Sequence, residues 1–105
     1  MDNAHDIPAL VREHLDAARR SDHGRSARLL VHDGPLRQSI IALRAGGALD
    51  EHEAPPAASL HVLAGKVRLN DRALSAGELV PIPHERHALS ADEDAAVLLT
   101  TVTGI

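Results

Sequence analysis

The sequence predicts a mainly β domain, a small barrel or sandwich, preceded by one short helix. Three observations predict it. Apolar residues recur at helical spacing in one stretch only, within "DIPALVREHLDAARR" near the start. After Gly24 the chain breaks into about eight or nine short β-like runs at close spacing, the pattern of a barrel or sandwich. Those runs are separated by turn formers such as "DGP", "AG" and "ND".

The elements follow in order. In the helix, Asp6 is a suitable N-cap, and Pro8 is tolerated in the first turn, where its missing N–H has no partner to lose. Ile7, Leu10, Val11, Leu15 and Ala18 form one apolar stripe. Arg19 and Arg20 suit the C-terminal end of the helix dipole, and Gly24 is a natural terminator. "SARLLVH" and "LRQSIIALR" read as a hairpin around "DGP". "SLHVLAG" and "KVRLN" turn at Ala64-Gly65, "ND" leads into "RALSAGELVPIP", and "ERHALS" and "AAVLLTTVT" complete the set. The runs "SIIAL" and "AVLLTTV" are apolar on both faces in part, so a cover is expected on each side: the opposite sheet, and the helix or a second subunit. The expected division is a helical lead-in over 1–24 and a barrel over 25–105.

Composition narrows the function classes. A length of 105 residues suits one domain, and 44% apolar with 25% charged residues is ordinary for a globular protein. The chain has no Phe, Tyr or Trp, so any pocket is aliphatic and offers no ring to stack on a base or sugar. Net charge is −4 and the basic residues are scattered, which argues against a nucleic-acid partner. The absence of cysteine excludes disulfides, thiolate zinc sites and thiol catalysis. "MDNAHDIPAL" lacks the features of a secretory leader, and "AAVLL" is too short to span a bilayer. A cytoplasmic protein without a membrane partner is expected.

The histidines carry the remaining chemistry. Gly46 is followed by five residues and His52; Ala54, Ala58 and Gly65 come next. Further on, Gly77, five residues, Pro83, Glu85 and His87 follow in turn. This order resembles the two motifs of the cupins, from about residue 25 to 103. The first cupin motif has Gly, His, His, Glu and Gly at the spacing of Gly46, His52, Ala54, Ala58 and Gly65. The second has Gly, Pro, Gly and His, against Gly77, Pro83, Glu85 and a His87 displaced by one residue. The chain is also similar to small bacterial cupins with a short N-terminal helix, which bring no activity with them. The resemblance implies a double-stranded β-helix, a jelly-roll barrel. It also implies a metal site of three His and one Glu, of which only His52 and His87 stand here.

Strand alternation adds a second set of residues. If His52 and Ala54 point inward, so do Ala58, Leu60 and Val62, and these line the expected pocket. His61 then points outward. His84 and Glu85 read as a solvated loop, "ADEDA" as a solvated turn, and His5, His14, His23 and His32 as surface residues. No serine sits in a nucleophile elbow, and no glycine loop is spaced to cradle phosphate.

The expected function is therefore a small cupin-domain protein binding a small apolar or weakly polar ligand. It carries no cofactor or a weakly held divalent transition metal on His52 and His87. The alternative is a metal-dependent cupin enzyme, a dioxygenase or isomerase, using the same two histidines. Apolar strand faces also lead to an expected homodimer, with outward residues of "SIIAL" and "SLHVL" and the helix in its contact.

Overall fold

The computed structural model of the chain describes residues 4–52 and 55–104, and for residues 50–52 the backbone alone. Helix α1 spans Ile7–Arg20. Asp6 caps it, its Oδ1 accepting the Ala9 N–H at 3.1 Å. The helix stops at Ser21, short of Gly24, whose φ of +69° serves instead the entry into the first strand.

Nine strands follow among the described residues: β1 Arg25–Asp33, β2 Leu36–Leu43, β3 Ala48–His52, β4 Ala57–Ala64, β5 Lys66–Leu69, β6 Arg72–Ser75, β7 Leu79–Pro81, β8 His87–Ala91 and β9 Ala95–Val102. They form two antiparallel sheets, ordered β1-β2-β9-β4-β7 and β3-β8-β5-β6. The long central strands β2, β9 and β4 carry alternating side chains into two separate cores. Ile41, Leu43, Leu60, Val62 and Val97 point between the sheets and meet Val67, Leu74, Val80, Ile82 and Leu89. This is the mainly β jelly-roll architecture with one short helix that the sequence leads one to expect.

The outer face of the larger sheet has its own cover. Ala42 of β2 and Ala96 of β9 are fully buried against Ala18 of the helix, with Val11, Leu15 and Leu63 packed around them. Small residues at the contact let the helix lie close to the sheet. Ile40, also fully buried, points to this same side. The outward residues of "SIIAL" are thus covered by the chain's own helix. Alongside Leu10 and Ala18, His14 lies beneath the helix at 8% exposure, not on the surface as the sequence suggested. Its Nδ1 pairs with Ser26 Oγ at 2.8 Å, and its Nε2 is buried without a partner among the described residues.

Candidate functional site

Strand β3 lies beside β8, with Leu49 opposite Leu89 and His52 opposite His87. The register shifts between the two pairs: two residues lie between Leu49 and His52, but one lies between His87 and Leu89. The additional residue in β3 is a bulge, and it brings His52, not Glu51, opposite His87. Two histidines 35 positions apart in sequence are thereby direct cross-strand neighbours.

His87 is nearly enclosed, at 3% exposure. Its Nδ1 lies 3.2 Å from the Glu85 carbonyl. A carbonyl can only accept, so Nδ1 is the donor of this hydrogen bond. The backbone leading into β8 thus orients the ring. His87 stands at a cavity between the sheets, with seven aliphatic side chains as its other walls, among them Leu49, Leu60, Ile82, Leu89 and Leu99. The enclosed room is about 20 Å³, within about 280 Å³ of void counted out to the mouth. Room of this order suits a single water-sized occupant unless the leucines shift. Among the described residues the cavity offers one oriented imidazole in aliphatic surroundings, a setting for a small, mostly apolar body.

The expected pocket residues divide. Leu60 lines the cavity, Ala58 packs against the inner core from a half-buried position, and Val62 is fully buried within that core. Ala54 lies outside the described residues, as does the side chain of His52. His61 is half-buried and lines a groove beside the helix, on the other side of the sheet from Leu60. Among the described side chains no group of three or more His, Cys, Asp and Glu converges in a manner that could hold a metal ion. No helix among the described residues is long and apolar enough to cross a membrane.

The acidic turn "ADEDA" does more than face solvent. Arg68 pairs with Asp92 at 3.1 Å, Lys66 lies 3.8 Å from Glu93, and Arg19 reaches Asp94 at 2.6 Å. Asp94 also accepts the Ala45 N–H at 2.8 Å. That backbone hydrogen bond, then the Arg19 guanidinium, hold its carboxyl below the usual carboxylate range. The sequence signal was weak, since acids in a turn are ordinary and their partners lie in β5 and α1.

No family model matches the sequence, and no curated protein matches it. Solved structures do. A cupin-2 domain-containing protein from Shewanella frigidimarina is 16% identical, with 95% of each chain covered and a TM-score of 0.69. A cupin-superfamily protein from Desulfitobacterium hafniense is 16% identical over 76% of this chain and 78% of its own, at a TM-score of 0.67. An acetylacetone dioxygenase from Acinetobacter johnsonii is 14% identical over 77% of this chain and 61% of its own, at 0.70. With its two antiparallel sheets and the cavity between them, the chain has the fold of a small, RmlC-like cupin domain.

Proposed function

We propose that the protein is a small ligand-binding cupin module. It holds a small apolar or weakly polar molecule at the His87 end of the barrel and has at most a weak metal site. The observation that supports this reading is the cavity wall: among the described residues, the His87 imidazole, held by the Glu85 carbonyl, stands among seven aliphatic side chains. Such a site rewards a short aliphatic body bearing one polar group. The limited room selects a ligand of very few heavy atoms, or one whose entry moves Leu60 or Leu89.

The test is a titration with alcohols of two to four carbons, followed by methyl NMR. Saturable shifts confined to Leu60, Ile82, Leu89 and Leu99 are expected, and Leu60→Phe, which fills the room, should abolish them. Weak shifts spread over the surface without saturation would remove the reading.

A second reading, a metal-dependent enzyme of dioxygenase or isomerase type, is favoured by the register alone. That register sets His52 directly opposite His87. Two imidazoles suit a borderline divalent ion, with water or substrate completing its coordination. The likeness to an acetylacetone dioxygenase keeps oxygen chemistry in view. Stoichiometric metal in the protein as purified would move this reading to first place.

A further inference from the structure

A second and larger hollow lies outside the barrel. It has a volume of about 470 Å³, between the N-terminal half of α1 and the outer face of β4. Its volume falls in the range of about 300–1,000 Å³ common for small-molecule sites. Ile7, Pro8 and Val11 on the helix and Leu63 on the strand make it aliphatic; Arg12 and His61 are its basic groups. Val62 lines the groove as well as belonging to the inner core, but the groove and the His87 cavity share no lining residue and are separate spaces.

We propose that this groove binds a short-chain aliphatic carboxylate. Charge complementarity carries the argument. Arg12 is exposed and has no hydrogen bond or ion pair among the described residues, whereas Arg19, Lys66 and Arg68 are each paired. The acid one turn further along the helix, Asp16, is taken by Arg20 at 3.3 Å. Glu78, next to Gly77 at the groove's end, is taken by the Ser75 N–H at 2.7 Å. The guanidinium therefore stands over an aliphatic hollow with these carboxylates already engaged. A bound carboxylate would receive a charge-assisted hydrogen bond from Arg12, with His61 as a second donor. The tail would lie on Ile7, Val11 and Leu63. It could extend toward Leu79, which is 65% exposed and directly opposite His61 on β7. The chain has no Phe, Tyr or Trp, and the walls under the tail are Ile7, Val11 and Leu63, so the tail is aliphatic.

The experiment is an NMR titration of the full chain with hexanoate, and in parallel with hexanol. Saturable shifts at Val11, Leu63 and the His61 ring are expected with hexanoate. Binding should weaken about tenfold with hexanol and with Arg12→Gln, the effect of losing one hydrogen bond to a charged group. His61→Gln should weaken it less, and the spectrum of each variant should match the parent away from the groove. Equal binding of hexanol and hexanoate would overturn the proposal. So would hexanoate shifts confined to Leu60 and Leu89, which belong to the barrel. Concentration-dependent shifts of Val11 and Leu63 without ligand, together with a dimer mass in sedimentation, would assign the groove to a second copy of the chain and also overturn it.

Discussion

Arg19 on the helix donates from Nε to Oδ2 of Asp94, 2.6 Å away in the turn before β9. The other carboxylate oxygen holds the Ala45 N–H. One side chain thus joins the helix, the segment after β2 and the entry to β9. Both partners are partly exposed, at 51% and 31%, so solvent screens the pair. Asp94→Ala should cost about 1–2 kcal/mol, mostly from the orphaned Ala45 N–H and the lost charge-assisted bonds. The pH dependence follows in sign. The folded-state pKa of Asp94 lies below its ordinary 3.8, so its contribution is full above that value and disappears as pH falls through the lowered one. Urea midpoints measured from neutral pH down to about pH 3 should fall less steeply for Asp94→Asn than for the parent.

The buried His14 gives a prediction of opposite direction. Its Nε2 has no partner under the helix, while Nδ1 and Ser26 Oγ satisfy each other. Replacing both members of such a pair by apolar groups removes an uncompensated polar atom without creating another. His14→Leu with Ser26→Ala should leave stability unchanged or raise it by about 1 kcal/mol. Thermal unfolding of the double variant is the check, and a loss comparable to a core truncation would show that Nε2 is satisfied after all.

Gly65 lies hard against the backbone at the start of β9. A Cβ there would meet the Asp94 carbonyl oxygen at 2.2 Å and Ala95 Cα at 2.9 Å, and its φ is +75°. Backbone atoms on both counts cannot give way cheaply. Gly65→Ala should therefore destabilise by about 3 kcal/mol or more, the left-handed backbone and the clash acting together. Gly77→Ala supplies the contrast. Its φ is +94°, but nothing lies within 4 Å of the added carbon. Only the backbone term applies, about 1–2 kcal/mol. Chemical denaturation of the pair should rank them in that order.

Much of this fold was legible because its signals are local. Asp6, the "DGP" turn, Ala64-Gly65 and the alternation through Leu60, His61 and Val62 each depend on neighbours within a few residues, and each stands where the pattern put it. What was not legible depends on pairs far apart in sequence. A bulge between Leu49 and His52 has no sequence signature of its own, yet it decides which residue stands opposite His87. His14 reads as polar until the helix is docked, because its position between Leu10 and Ala18 competes with its residue type. The partners of Asp92, Glu93 and Asp94 lie on β5 and α1, which spacing along the chain does not relate to the turn.

The surface left uncovered bears on assembly. The helix covers Ile40 and Ala42, so a homodimer contact would fall elsewhere. Leu29, on the edge strand β1, is 51% exposed, and edge strands invite pairing with another chain. Sedimentation equilibrium at micromolar concentration should give a dimer mass, and Leu29→Lys should shift it to monomer. Concentrations must be taken from peptide absorbance, since the chain has no Trp or Tyr.

Metal affinity separates the two functional readings. Water would fill most positions of an ion held by two imidazoles, and exchangeable water adds little affinity. The protein purified without added metal should carry well under one ion per chain, and copper or nickel should bind best on titration, following the divalent order. Ala58 packs toward the inner core, where a longer side chain would enter the barrel. Ala54→His together with Ala58→Glu restores the four-ligand spacing of the cupin motif and should produce tight, near-stoichiometric binding. In the parent, His52→Ala and His87→Ala should each abolish the weak binding. His61→Ala should not, because His61 lies in the groove outside the barrel. Metal analysis and isothermal titration of the parent and the four variants decide it. If the parent holds one ion per chain, lost in His52→Ala and in His87→Ala but kept in His61→Ala, the binding-module reading gives way to the enzyme.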